Sequence, residues 1–264
     1  MIFFKKKFDR KVYGWKRSDG QPNVGDELAI KVVKQILLSR DIAFDEFVDD
    51  NSQKLLSIGS VLHFAKDCDV VWGTGVNGKI NPKEHKFNLL DVRAVRGPRT
   101  KFFLEERGIK VPDTFGDPAL LCPLLMPISL FVDLPPVQEF LIIPHMSEVE
   151  RMKAKYGKDN ICSPLDHPYN FIRKILSAKL VYSSSLHGII LAEAYNIPVV
   201  WFKSDNGEND FKYYDYYEGT LRYSSVDSFE LDGVTCLRFE KIKNLDHIQN
   251  ELLKSFPFDM WKKK

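Results

Sequence analysis

One stretch carries the strongest pattern in this chain: Leu180-Val-Tyr-Ser-Ser-Ser-Leu-His-Gly-Ile-Ile-Leu-Ala-Glu-Ala-Tyr-Asn-Ile-Pro198. A short apolar strand ends in three serines, and the apolar residues that follow predict a helix from about Leu186. His187 then lies in the first helical turn, beside backbone N–H groups that have no partner within the helix. Such a helix start is a natural anion site. A strand that leads directly into a helix is also the repeating unit of parallel α/β sheets.

Two interpretations of His187 remain open from this pattern. In one, it is a packing histidine behind a serine cap. In the other, it faces a ligand, with Gly188 keeping the turn open. The helix dipole should then lower the pKa of His187 and favour an imidazole that exchanges protons near neutral pH.

The rest of the chain repeats the alternation of strands and helices. Strands are predicted at residues 55–58, 69–73, 94–96, 140–144 and 199–202. Four prolines between residues 123 and 138 interrupt the pattern and predict a linker. We therefore expect an α/β fold of two Rossmann-like lobes with mainly parallel sheets that face a cleft. The first lobe is expected at residues 1–122, the linker at 123–138 and the second lobe at 139–264. The final helix of the second lobe can pack back on the first lobe.

Composition narrows the class of protein. The chain has 264 residues, of which 44% are hydrophobic, and a formal net charge of +2. The small net charge argues against a nucleic-acid partner, and the hydrophobic content argues against a disordered chain. No apolar run approaches the roughly 20 residues that span a bilayer. Four scattered cysteines and widely spaced histidines predict a reduced cytoplasmic protein without a metal.

The glycine-rich loop Gly73-Thr-Gly-Val-Asn-Gly78 follows a predicted strand. Its spacing matches a dinucleotide fingerprint, but that fingerprint needs a helix directly after it. Pro82 and the residue before it disfavour a helix there. We therefore interpret the loop as a place where a ligand approaches the backbone at the carboxyl edge of a sheet.

Three further clusters follow predicted strands or precede helices. Arg96 and Arg99 can make fork-shaped contacts to a carboxylate or phosphate, although solvated arginines are the commoner case. Asp26 can simply cap the first helix, whereas Asn23 and Gly25 also suit a loop at the floor of a cleft. Asp117 is predicted to cap a helix whose first residue is Pro118.

Taken in order, these motifs resemble the polysaccharide pyruvyl transferase family. The matching segments are Asn23-Val-Gly-Asp26, Gly73-Thr-Gly75, Val95-Arg-Gly-Pro-Arg-Thr100, Gly116-Asp-Pro-Ala-Leu120, Ser184-Ser-Leu-His-Gly188 and the aromatic run Phe211-Lys-Tyr-Tyr-Asp-Tyr-Tyr217. The resemblance implies a GT-B-like fold. It also implies transfer of pyruvate from phosphoenolpyruvate to a sugar of a bacterial surface polysaccharide, or of its lipid-linked precursor, as a cyclic ketal.

The resemblance also implies roles for individual residues. The histidine of the family's Arg-Leu-His pattern falls on His187, the expected catalytic residue, but its arginine falls on Ser185. Another cation must then hold the donor, and the expected donor site consists of Arg96, Arg99, Gly73, Gly75, Ser184 and Ser185, with Lys203 as a poorer candidate. The acceptor sugar is expected to contact Asn23, Asp26, Tyr213, Tyr214 and Tyr217. Neither a cofactor nor a metal is expected, and phosphoenolpyruvate is the co-substrate.

Two alternatives to this function remain open. A nucleotide-sugar glycosyltransferase would use the same two-lobed fold, and a non-catalytic sugar- or anion-binding homologue fits the departure at Ser185. The lysines at 5–7 and 262–264 stand beside aromatic residues, among them Phe256 and Phe258. They suggest peripheral contact with the cytoplasmic face of the inner membrane, or simply solvated tails.

Overall fold

The computed structural model describes residues 11–15, 20, 23–45, 53–205 and 207–261. It shows an α/β protein with one three-stranded sheet and one five-stranded sheet. The predicted α/β class is therefore confirmed. The lysines at 5–7 and 262–264 lie outside the described residues.

The first sheet is parallel throughout, in the order β1-β2-β3. Its strands are β1 (Leu55–Leu56), β2 (Val70–Trp72) and β3 (Asp91–Ala94). Two helices belong to this half of the chain, α1 (Val24–Leu38) and α2 (Pro98–Glu105). Helix α1 begins where the Asn23 side chain accepts a hydrogen bond from the Gly25 backbone N–H at 3.0 Å, so Asn23 rather than Asp26 is the cap.

The second sheet is mixed, in the order β4-β5-β6-β8-β7. Its strands are β4 (Leu141–Ile143), β5 (Val181–Ser183), β6 (Val199–Phe202), β7 (Asp227–Leu231) and β8 (Val234–Arg238). The first three are parallel, whereas β8 runs antiparallel to both of its neighbours. The expectation of mainly parallel sheets is met in the first sheet and is only partly met in the second.

Six helices accompany the second half of the chain. They are α3 (Cys122–Leu125), α4 (Val149–Tyr156), α5 (Pro168–Leu176), α6 (Leu186–Ala194), α7 (Phe211–Gly219) and α8 (Leu245–Lys254). None of the helices in the described ranges is both long and apolar enough to cross a membrane.

A single buried cluster draws residues from both sides of segment 123–138, among them Leu28, Trp72, Leu141, Ile190 and Leu252. Helix α8 reaches the first sheet, because the Trp72 indole N–H donates to the Leu252 carbonyl at 3.0 Å. Of the C-terminal aromatics, Phe256 and Trp261 are also buried in this cluster. The division into lobes at 1–122 and 139–264 stays a prediction.

Candidate active site

A cavity of about 330 Å³ lies at the carboxyl ends of strands from both sheets. Its wall is formed by the start of α1, by segments that follow β1, β2, β4 and β5, and by two residues after β6. These residues are Asn23, Val24, Gly25, Asp26, Gly59, Ser60, Val61, Asn77, Lys79, Ile80, His145, Met146, Ser185, Leu186, His187, Glu208 and Lys212, with Trp15, His63, Phe64 and Pro164 at the sides. Open α/β sheets bind their ligands at this edge, which makes the cavity the candidate site.

The imidazole of His187 forms part of the cavity wall and packs against Gly25. A β-carbon on Gly25 would lie 2.2 Å from Cε1 of His187, so the ring occupies space that only glycine leaves free. Nε2 of His187 is buried and has no hydrogen-bond partner among the described residues. Burial, together with the charges of Lys212 and Arg96, lowers the pKa of His187 to about 3. The ring is therefore neutral at pH 7. This pKa lies well below the value that the proton exchange near neutral pH, expected from the sequence, would need.

Asp26 lines the same cavity, one residue after Gly25. Its Oδ1 accepts a hydrogen bond from the Trp15 backbone N–H at 2.7 Å. Burial raises the pKa of Asp26 to about 7, although that hydrogen bond acts in the opposite direction. Two titratable groups in one cavity thus have pKa values shifted in opposite directions, an arrangement typical of an acid and a base.

Of the serines before α6, only Ser185 reaches the cavity. Ser184 lies behind it, where its hydroxyl donates to Oε2 of Glu148 at 3.1 Å and accepts from the His145 backbone N–H at 2.9 Å. Ser184 therefore holds the segment after β4 in place.

Arg96 supports the cavity from behind and does not line it. Its side chain is fully buried, and Nε donates to Oδ2 of Asp215 at 2.9 Å. The same guanidinium donates to the Ser60 hydroxyl at 2.6 Å and to the Val76 carbonyl at 2.7 Å. A β-carbon on Gly75 would lie 2.5 Å from its Cζ. Arg96 and Gly75 thus fix the two loops that follow β1 and β2.

Arg99 and Gly73 also lie outside the cavity wall. Arg99 forms a two-pronged pair with Glu218, with hydrogen bonds of 2.8 and 2.6 Å, and its guanidinium lies over the Tyr214 ring. Gly73 has a φ of +89° and packs against Pro118. Neither of these residues lines the cavity.

The aromatic segment forms α7, and its predicted acceptor residues are engaged in the protein interior. Tyr213 stacks on Trp201 at 4.4 Å, and its hydroxyl donates to the Ser184 carbonyl at 2.8 Å. Tyr217 stacks on Phe239 at 3.5 Å. Tyr213 and Tyr217 are 2% and 1% exposed, so neither presents a face to the cavity.

Several residues at the cavity were not predicted from the sequence. Glu208 contacts the side chains of Lys79 and Lys212, and its Oε1 lies 3.6 Å from Nε2 of His145. His63 lines another part of the wall. Only Lys212 carried a sequence signal, because it stands among the tyrosines of the aromatic run. Within the described part of the chain, no group of three His, Cys, Asp or Glu residues is placed to hold a metal ion.

Known proteins with similar sequences include one from a bacterium and one from a virus. The chain is 25% identical over 214 residues to the succinoglycan biosynthesis protein ExoV of Rhizobium meliloti, covering 78% of this chain and 63% of that protein. It is 30% identical over 173 residues to the uncharacterised protein L143 of Acanthamoeba polyphaga mimivirus, covering 60% of this chain and 57% of that protein. No solved structure matches the chain.

A family model described as polysaccharide pyruvyl transferase matches residues 23–206. The match begins at Asn23 on the cavity floor and includes His187 in its wall. It covers well over half of the chain. The chain belongs to the polysaccharide pyruvyl transferase family.

Proposed function

We propose that the chain transfers the pyruvyl group of phosphoenolpyruvate to two hydroxyls of a sugar, in a surface polysaccharide or its lipid-linked precursor, as a cyclic ketal. The observation that carries this proposal is the presence of Asp26 and His187 in one cavity with opposite pKa shifts. Family membership supports pyruvyl transfer on a polysaccharide. A cavity lined from both sheets fits the two-lobed, GT-B-like arrangement, which we retain as part of the proposal. We also place the reaction in the cytoplasm, at the membrane face.

The chemistry requires both a proton donor and a proton acceptor. The methylene carbon of phosphoenolpyruvate takes up a proton and becomes the methyl group, which leaves C2 electrophilic. One sugar hydroxyl adds to C2 and loses its proton, and the C2–O bond to phosphate then breaks. A second hydroxyl closes the ring and loses its proton. Of the two protons released, one balances the proton taken up by carbon and the other leaves with phosphate.

We assign the proton donor to Asp26 and the proton acceptor to His187. A pKa of about 7 leaves a protonated fraction of Asp26 at neutral pH. His187 is neutral at this pH and lines the cavity. The negative charge of a bound donor favours the protonated ring, so His187 can then take the proton of the attacking hydroxyl. Asn23 and Ser185 stand beside these groups in the wall and supply neutral hydrogen-bonding atoms.

The test is incubation with phosphoenolpyruvate and a panel of galactoside, glucoside and mannosamine acceptors. We expect release of phosphate and an acceptor mass increased by one pyruvyl ketal. His187→Ala and Asp26→Asn should each lower turnover by about 10²–10⁴-fold, the usual contribution of a positioned acid or base. His247→Ala is the matched control, because this exposed histidine lies on α8 and should leave turnover unchanged.

Two results would contradict the proposal. A rise in melting temperature with sugar nucleotides, and none with phosphoenolpyruvate, would favour a nucleotide-sugar glycosyltransferase, because a ligand of the native state raises that temperature. Binding of phosphoenolpyruvate without product from any acceptor of the panel would favour the non-catalytic homologue.

A further inference from the structure

A cluster of charged side chains occupies one wall of the cavity. The carboxylate of Glu208 contacts the ammonium groups of both Lys79 and Lys212. The side chains of Glu208 and Lys212 are only 8% and 9% exposed. Burial lowers the pKa of His145, the fourth member, so this imidazole adds no charge at pH 7. Two lysines and one carboxylate leave a surplus positive charge beside the cavity.

Within the described ranges, Lys79 and Lys212 are the only lysine or arginine residues in the cavity wall. Burial lowers the pKa of Lys212, and the neighbouring Glu208 carboxylate acts in the opposite direction. The guanidinium of Arg96 is paired with Asp215 behind the loops, and that of Arg99 is paired with Glu218. Ser185, which stands where the family pattern has an arginine, carries no charge. The positive charge that an anionic donor needs can therefore come from the lysines.

We propose that Lys212 and Lys79 form the subsite that holds a small phosphate-bearing anion, and that Glu208 is the internal counter-ion which this anion replaces. The proposal rests on the proposed function for the identity of the anion, phosphoenolpyruvate. The ammonium group of a lysine binds phosphate as a point charge. The Glu208 carboxylate carries negatively charged oxygens, as a phosphate group does, so a bound phosphate can replace it beside the lysines.

The subsite is also coupled to His187. The charge of Lys212 contributes to the lowered pKa of His187, after burial. Burial alone would raise the pKa of Glu208, but the charge of Lys212 and the contacts with Lys212 and Lys79 outweigh it and bring this pKa below its usual value. The Glu208 carboxylate is therefore ionised at neutral pH and competes with an anionic ligand for the two lysines.

The experiment is titration calorimetry with inorganic phosphate and with phosphoenolpyruvate. Lys212→Met should weaken binding of both probes by about 10- to 150-fold, the loss typical of a hydrogen bond to a charged group. Lys212→Arg should restore most of the affinity. Glu208→Gln should strengthen binding by about 10-fold, whereas a purely structural role for Glu208 predicts no gain.

Two further variants serve as controls, one for misfolding and one for non-specific effects of charge. Lys212→Met removes one of the two lysines that contact the buried carboxylate of Glu208. The double variant Lys212→Met/Glu208→Gln removes both charges and should still bind at least about 10-fold more weakly than Glu208→Gln. Lys254→Met is the matched control, because Lys254 pairs with Glu251 on α8 outside the cavity wall, and it should change binding by less than about 3-fold.

The possible results test the proposed subsite and the proposed function independently. Normal binding by Lys212→Met, or no binding of either probe by the natural chain, overturns the subsite whatever the turnover. Lysine-dependent binding of both probes without ketal formation keeps the subsite and removes the proposed reaction. Equal losses in Lys254→Met and Lys212→Met would show a general charge effect and would also overturn the subsite.

Discussion

The imidazole of His187 lies directly over Gly25, and this contact depends on the absence of a side chain. We expect Gly25→Ala to displace the ring and to lower turnover by about 10²-fold or more, since His187 is the proposed base. The ring borders a cavity into which it can move, so the melting temperature should fall little. Steady-state kinetics and thermal unfolding provide the measurements.

The matched control for this prediction is a double-mutant cycle. If Gly25 acts only through His187, Gly25→Ala should have almost no further effect in a His187→Ala background. Additive losses in the double variant would contradict this explanation, as would full activity in Gly25→Ala.

Asp26 should make the stability of the protein depend on pH. Its pKa is about 7 in the folded chain against 3.8 as the ordinary value, so the folded state binds the proton more tightly. The stabilisation that comes from this tighter proton binding is fully present below about pH 4 and is lost as the pH rises through about 7. Asp26→Asn removes this effect. The difference in unfolding free energy between the natural chain and the variant should fall by up to about 1.4 kcal/mol per pH unit across that window.

Urea titrations at several pH values measure this difference. The lowered pKa of His187 has the opposite effect, because it makes the protein less stable as the pH falls below 6.5. Both chains contain His187, so its contribution cancels when they are compared at the same pH. A difference that does not vary with pH would show that Asp26 titrates at its ordinary value.

Residues next to strand ends were the easiest part of the site to predict. Asn23, Asp26, Ser185 and His187 all line the cavity, because a strand end or a helix start places its first residues at the ligand edge of a sheet. Lys212 was not predicted as a ligand. Its position depends on which face of α7 is buried, and this follows from long-range stacking such as that of Tyr213 on Trp201.

The segment between β3 and α2 is joined to helix α7 by a buried ion pair between Arg96 and Asp215. Both oxygens of the Asp215 carboxylate are used, since the Thr100 backbone N–H donates to Oδ1 at 2.9 Å and its hydroxyl to Oδ2 at 2.7 Å. Asp215→Ala leaves a buried guanidinium unpaired, so we expect it to destabilise the protein by about 3–5 kcal/mol.

The control for the buried pair lies one helical turn along α7. Glu218→Ala breaks the pair with Arg99, whose side chain is 38% exposed, and it should cost about 0–1 kcal/mol. Denaturant unfolding of both variants makes the comparison. Equal losses would mean that burial does not distinguish the two ion pairs.

The main helices and the parallel strands were predictable because their apolar residues repeat with a clear period. Strand β6 occupies Val199–Phe202, as predicted, and helix α6 begins at Leu186. The hairpin of β7 and β8 was not predicted. Most residues of this hairpin are not fully buried. Its sequence therefore lacks the clear apolar pattern of a strand that packs on the core.

The shared core predicts that the whole chain unfolds as one unit. Trp72 of the first sheet and Trp201 of the second belong to the same buried cluster, and Gln249 of α8 donates to the Leu120 carbonyl at 2.8 Å. We expect thermal unfolding curves from tryptophan fluorescence and from far-ultraviolet circular dichroism to coincide. Two resolved transitions would show instead that the parts before and after segment 123–138 unfold independently.

Prolines alone do not determine how segment 123–138 packs. The four prolines predicted a linker, yet Phe131 within it is buried and the Tyr195 hydroxyl donates to the Met126 carbonyl at 2.8 Å. Local sequence shows where regular structure stops, but contacts between distant residues decide whether such a segment stays free.

Trp15 borders the cavity, whereas Trp72, Trp201 and Trp261 are at most 2% exposed. The chain has four tryptophans, so a single indole is placed to sense a guest molecule while the other three provide a steady background. The unlabelled protein thus carries its own optical probe, and occupancy of the cavity can be followed by emission from a group that takes no part in the proposed chemistry.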